Sequence, residues 1–162
     1  MNRITIKNVH FSEALSEETN AFTADVYLDG KKFGYAKNNG QGGCTNINRY
    51  PDKMEELKEA EAYANGLGEV DYGDFKMKAS LDAVVDKLFS DHIEAKELKK
   101  AMKKGLVYKA EDGSTELIQW NVPMSKVLEH SKGEAMLKAK ILEIRSKGGK
   151  ILNTNIPEEL LK

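Results

Sequence analysis

The sequence predicts an α+β fold: an N-terminal antiparallel β-meander packed with three to four helices, followed by a second, C-terminal β-hairpin. Three observations carry this. Apolar residues alternate with polar ones over much of the first fifty positions, the period of half-buried strands. Beyond residue 51 the period lengthens to that of helices, and strands come as hairpins instead of alternating with helices. A second alternating pair then returns within residues 106–120. At 162 residues, 40% apolar and 31% charged, the chain has the balance of a folded globular protein. It reads as a single domain over 1–162, β-rich in 1–50 and helix-rich in 51–162.

The elements follow in order. Ile4, Ile6, Val9 and Phe11 alternate with polar partners, with one slip near Asn8 that suggests a bulge. Residues 12–20 are polar and loop-like. Phe22–Leu28 is the best strand in the chain; Asp29-Gly30 is a favoured two-residue hairpin turn, and the return strand runs over Lys32–Ala36. Pro51 and Asp52 open a helix in which Asp52 and Glu55 have capping-box spacing, and Gly66-Leu67-Gly68 ends it. Residues 69–78 read as an acidic connection. Leu81, Val84, Val85, Leu88 and Phe89 form the clearest amphipathic stripe, capped by Ser80. A break is expected near Asp91-His92, then a third helix over residues 93–104, ended by Gly105. The second hairpin turns around Glu111–Ser114. A last helix, interrupted near Gly133, closes at Gly148-Gly149, and Ile151-Leu152-Asn153 adds a strand or an apolar tail.

Charge is uneven although the net is −1. Residues 1–50 carry 6 basic and 5 acidic groups, residues 51–95 carry 5 and 12, and residues 96–162 carry 14 and 9. This balance disfavours general adhesion to nucleic acid. Two helices followed by a hairpin over 80–120 is nevertheless the order of a winged helix-turn-helix, with Lys96, Lys99, Lys100, Lys103 and Lys104 on the second helix. No apolar run reaches the ~20 residues of a membrane span, nothing after Met1 looks like a signal peptide, and the lone Cys44 forms no internal disulfide framework. The expectation is a cytoplasmic protein, in a host cytoplasm if a phage encodes it, that meets no membrane.

The most distinctive stretch is Lys37-Asn38-Asn39-Gly40-Gln41-Gly42-Gly43-Cys44-Thr45, with Arg49 just beyond. Three glycines in four positions free the backbone for φ > 0 and for close approach to a ligand. One reading is an anion-binding nest of successive N–H groups, with Lys37 and Arg49 supplying charge. The other is a type I′ turn at Asn39-Gly40 and a close chain crossing at Gly42-Gly43. P-loop and GxGxxG signatures are absent. His10, His92 and His130 have no metal-pair spacing and no fixed relation to Cys44, so no cofactor, metal or catalytic group is assigned.

The segments Ser16-Glu17-Glu18-Thr19-x-Ala21-Phe22, Asp29-Gly30-Lys31-Lys32-x-Gly34 and Asn38-Asn39-Gly40-x-Gly42-Gly43, with Ile151-Leu152-Asn153 and Ile156-Pro157-Glu158 later, resemble a family of small phage and bacterial proteins. The resemblance implies a mobile-element setting and brings no activity. The expected function is therefore non-enzymatic: binding of a phosphate-bearing, nucleotide-type small molecule at the glycine loop. The alternative is a module acting on a host protein through the acidic 51–75 segment and Tyr63, Tyr72 and Phe75. A nucleic-acid accessory role stands third, and self-association is left open.

Overall fold

The computed structural model describes residues 3–162. The chain is α+β and divides into two compact units, Met1–His92 and Ile93–Lys162. Among the described residues no helix is long and apolar enough to cross a membrane.

In the first unit, β1 (Ile4–Ser12), β2 (Ala21–Leu28), β3 (Lys31–Asn39) and β4 (Asn46–Arg49) form an antiparallel sheet in sequential order. Asp29 and Gly30 both take φ > 0, at 48° and 80°, as a type I′ turn requires. Asn8, at φ 51°, sits in the expected bulge, where the register jumps from Lys7↔Asp25 to His10↔Thr23. The extra residue resets the alternation, so Phe11 returns to the face that carries Ile4 and Ile6. That inner face is the core: Ile4, Phe22, Ala24, Val26, Leu28 and Ala36 are buried.

Two features of this sheet differ from expectation. Strand β3 runs to Asn39, so Lys37–Asn39 belong to the ladder and not to a loop, and β4 extends the meander to four strands. Ladder pairing with β2 and β4 holds residues that their own polarity would leave irregular.

Helix α1 (Met54–Gly66) buries Ala60 and Ala64, but the Asp52–Glu55 capping box does not form. Lys53 occupies the N-cap position without a capping bond, and its ammonium instead pairs with Glu56 at 2.8 Å. Residues 69–78 are not a plain connection. They form a short hairpin, β5 (Glu69–Asp71) and β6 (Lys76–Lys78), whose turn is fixed by the Gly73 N–H donating to Asp71 Oδ1 at 2.8 Å.

Helix α2 (Leu81–Lys104) is continuous for 24 residues. The expected break at Asp91-His92 is absent because neither residue interrupts the hydrogen-bond ladder, and Lys87 pairs with Asp91 one turn on. Without two separate helices the winged helix-turn-helix order disappears. Of the stripe, Leu81, Val84, Val85 and Phe89 are buried and Leu88 is half-buried. Phe89 stacks on Phe22 with centroids 4.0 Å apart, and Phe11 tilts against it at 5.6 Å. The boundary between the two units falls within this helix.

In the second unit, β7 (Gly105–Lys109) pairs with β8 (Thr115–Gln119) as the expected hairpin, and β9 (Lys150–Ile151) adds to its other edge. Two helices, α3 (Met124–Val127) and α4 (Ser131–Ser146), complete it. Leu106, Met124, Val127, Leu137, Ile141, Ile144 and Ile156 form its core. The interruption expected near Gly133 falls just before it, at residues 128–130 between α3 and α4, and Gly133 itself is helical. It lies in the first turn of α4, where a Cβ would stand 2.1 Å from the Val127 carbonyl, so its smallness lets α4 meet α3.

Asn153 is buried and spends its whole amide. Oδ1 accepts from Val107 N–H at 2.6 Å, while Nδ2 donates to Gly105 O at 3.0 Å and Asn155 Oδ1 at 2.9 Å, with a longer contact to Met102 O. The amide thus ties the last turn of α2, through Met102 O, to the first residues of β7, through Gly105 O and Val107 N–H. Asn153→Ala should cost about 2–3 kcal/mol, because the Val107 N–H and the Gly105 carbonyl lose this partner out of reach of water. Urea denaturation checks this, and a loss under about 1 kcal/mol would mean that water takes over those bonds.

Candidate functional site

The glycine segment binds an oxygen atom in a nest, but it supplies the oxygen. Gly40 O accepts three successive N–H groups, from Glu17 at 2.9 Å, Glu18 at 3.0 Å and Thr19 at 3.2 Å. Residues 17–19 are the cradle and the loop's own carbonyl is the guest. The loop's amides face inward in turn: Gly40 N–H donates to Asn38 Oδ1 at 2.9 Å, and Gly42 N–H to Thr19 Oγ1 at 3.3 Å. Gly40 has φ +85° and a Cβ there would lie 2.1 Å from Leu15 O, so glycine is required by both torsion and space. Gly42 has φ +84°; Gly43 has no positive φ and open space around it. Asn39 does not take the positive φ of a type I′ turn.

Asn38 is the hub of this arrangement. Its Oδ1 accepts from Gly40 N–H and from the Thr19 hydroxyl at 2.9 Å, and its Nδ2 donates to Gly43 O at 3.0 Å and Thr45 Oγ1 at 3.1 Å. The Thr45 hydroxyl then donates to Asp86 Oδ1 on α2. Asn38 and Thr45 are both buried. The chain of bonds ties the loop to the helix through side chains.

The other residues expected to form the site do not converge. Lys37 pairs with Asn46 on the outer sheet face, whereas Arg49 pairs with Gly34 on the inner one. The Arg49 guanidinium is also spent on its own chain, donating to Tyr50 O at 3.0 Å and Pro51 O at 2.9 Å. Asn39, Gln41 and Cys44 are exposed. Among the described residues, no three His, Cys, Asp or Glu side chains gather as a metal site needs.

Beside the loop lies a cleft of about 330 Å³ in the first unit. Gly43 and Asn38 form its loop side, Glu18 and Thr19 another, and Asp86, Phe89 and Ser90 of α2 a third; Tyr72, Phe75 and Met77 come from the β5–β6 hairpin. The Tyr72 and Phe75 rings stack in parallel, 5.0 Å apart at 7°, with Phe75 56% exposed. Tyr72 O–H donates to Ala83 O at 2.8 Å, and burial, with the Asp86 and Asp82 charges, pushes the phenol up to about 12. Burial also raises the Asp86 carboxyl above the ordinary range, against the lowering effect of Thr45, with Asp82 raising it further.

The sequence points to Tyr72 and Phe75 as part of an interaction surface but not to Glu18 or Asp86 as part of a site. Asp86 carried a signal: it stands three residues before Phe89, and so on the inward side of an otherwise apolar stripe. Glu18 carried none, since only the fold brings its carboxylate beside Gly42. A larger cleft of about 530 Å³ in the second unit has charges mostly satisfied among themselves. There Glu143 lies between Lys140 at 2.6 Å and Lys147 at 2.8 Å, held near a pKa of about 2, and Tyr108 O–H donates to Glu116.

No family model, curated protein or solved structure matches the chain.

Proposed function

We propose that this protein is a non-enzymatic binding module whose cleft beside the glycine segment takes a positively charged side chain, lysine or arginine, from a partner protein. One observation carries the reading. The donors of the glycine segment that face inward are spent within the protein, so the polar lining is mainly oxygen, with the Asp86 and Glu18 carboxylates next to a stacked aromatic pair of half-buried Tyr72 and exposed Phe75. Such a lining repels a phosphate and suits a cation, which gains from carboxylates and from ring faces together. This supports the protein-partner alternative over the nucleotide reading, and it keeps the loop as a wall of the site.

The test uses Asp86→Asn. A carboxyl whose folded pKa is raised opposes folding once ionised, and the penalty grows as pH climbs from the unfolded value through the folded one. At neutral pH the variant should therefore melt no lower than the native protein. Arginine- and lysine-bearing peptides should raise the melting temperature of the native protein and leave Asp86→Asn unmoved. Stabilisation by nucleotides or inorganic phosphate, with none by the cationic peptides, would reverse the assignment.

A further inference from the structure

We infer a second binding surface: the outer face of the four-stranded sheet is a platform for single-stranded nucleic acid. Pairing across the strands arranges this face in rows. One row runs Thr5–Tyr27–Lys32, the next Lys7–Asp25–Tyr35–Asn48, and the third His10–Thr23–Lys37–Asn46. Most of these side chains, including Lys7, His10, Thr23, Lys37, Asn46 and Asn48, are exposed, and Tyr35 is 40% exposed. Their neighbours along β2 and β3 are buried on the other side.

The chemistry of the face is specific. Tyr27, Tyr35 and Tyr50 present rings, with Lys7 Nζ 4.7 Å from the Tyr27 centroid and Lys32 Nζ 5.3 Å from that of Tyr50. The one carboxylate in the rows, Asp25, is neutralised in place by Lys32 at 2.9 Å and accepts a hydrogen bond from Asn8 Nδ2 at 2.8 Å. Lys7 and Lys37 form no ion pair among the described residues. The acidic groups Glu13, Glu17 and Glu18 lie instead on the segment joining β1 to β2, so charge is segregated within a unit that is acidic elsewhere. A shallow depression of about 450 Å³, lined by Asn8, His10, Thr23, Asp25, Tyr35 and Tyr50, opens onto it.

Charge complementarity selects a polyanion, and the rings narrow the choice. An acidic peptide offers lysines their counter-charge but gives tyrosine faces nothing flat to stack on. A duplex offers phosphates but hides its base faces. A single strand presents both at once, phosphates for Lys7 and Lys37 and bases for Tyr35 and its neighbours. Asn46, Asn48 and Thr23 add donors and acceptors for base edges. Reading of sequence is not implied, since stacking tolerates every base.

The experiment is fluorescence anisotropy with labelled single-stranded DNA and RNA 20-mers, the matching duplex and polyglutamate, from 50 to 200 mM salt. Single strands should bind with salt-sensitive affinity, and the duplex and polyglutamate far more weakly. Tyr35→Ala, at an exposed position, should weaken binding by about 5- to 150-fold, the loss of one stacked base. Lys7→Ala with Lys37→Ala should reduce the log–log salt slope by about 1.4, two phosphates on a single strand. Lys99→Glu with Lys103→Glu, on the exposed end of α2, should change neither value. Circular dichroism confirms that each variant is folded. Absence of binding at 50 mM salt, equal binding of duplex or polyglutamate, or loss of binding only in the α2 variant would each overturn the assignment. The cleft is tested by cationic peptides and Asp86→Asn, so the two surfaces stand or fall separately.

Discussion

Phe89→Ala should lower the unfolding free energy by about 3–5 kcal/mol, the range for deleting a well-packed aromatic side chain. Phe89 is 2% exposed and its ring is sandwiched by Phe22 and Phe11 of the sheet. Alanine removes the stacking and leaves a void between rigid elements, since backbone ladders hold both phenylalanines of β1 and β2 in register. Collapse of the void would have to move a strand or a helix turn. Phe89→Leu should recover a good part of the loss because it keeps most of the volume. Leu88→Ala, one residue earlier and only half-buried, should cost much less. Calorimetry is the suitable measurement because the chain has two compact units, and the effect should fall on the transition of the first. If Phe89→Ala costs under about 1 kcal/mol, α2 does not cover the sheet as described.

What was legible in the sequence was whatever is encoded over short distances. The alternation of β1 to β3, the Asp29-Gly30 turn, the Asn8 bulge and the Leu81–Phe89 stripe each depend on neighbours within a few residues. The errors share a cause of the opposite kind. Residues 90–97 have no apolar stripe because most are exposed, so the period that marks a helix vanishes there although the helix continues. Strand β4 reads Asn-Ile-Asn-Arg and owes its extension to β3. The β5–β6 hairpin has three-residue strands, too short for alternation to register.

The site was half legible for the same reason. Its glycines announced an unusual backbone, and the structure gives Gly40 and Gly42 the expected positive φ. Direction was not written locally. The N–H groups that form the nest belong to Glu17, Glu18 and Thr19, some twenty residues upstream, and the carboxylate that sets the cleft's charge belongs to Asp86 on α2. Flanking charge was a poor guide as well. Pairing in the ladder sends Lys37 and Arg49 to opposite faces whatever their nearness in sequence.

Asn38→Ala should cost about 3 kcal/mol, more than any single bond in the network, because one truncation takes a hydrogen-bond partner from four groups at once. Gly40 N–H and the Thr19 hydroxyl lose their acceptor, and Gly43 O and Thr45 Oγ1 lose their donor. Asn38 is 8% exposed, so water reaches those groups poorly. The loop should also lose its hold on α2, since Thr45 is positioned for Asp86 by the same amide. Asn38→Asp separates the two halves of the role. Aspartate still accepts from Gly40 and Thr19 but, when ionised, donates nothing to Gly43 and Thr45, and it brings a second carboxylate toward Asp86. Burial and that like charge would raise its pKa. Protonated, it regains one donor, so this variant should lose stability as pH rises from about 4 to 7, the sign for an acid whose folded pKa lies above its unfolded one. Urea titrations of both variants across that range decide the matter. Equal stability of Asn38→Asp at both ends, or an Asn38→Ala cost below about 1 kcal/mol, would mean that the amide merely fills space and the glycine segment is held by its backbone alone.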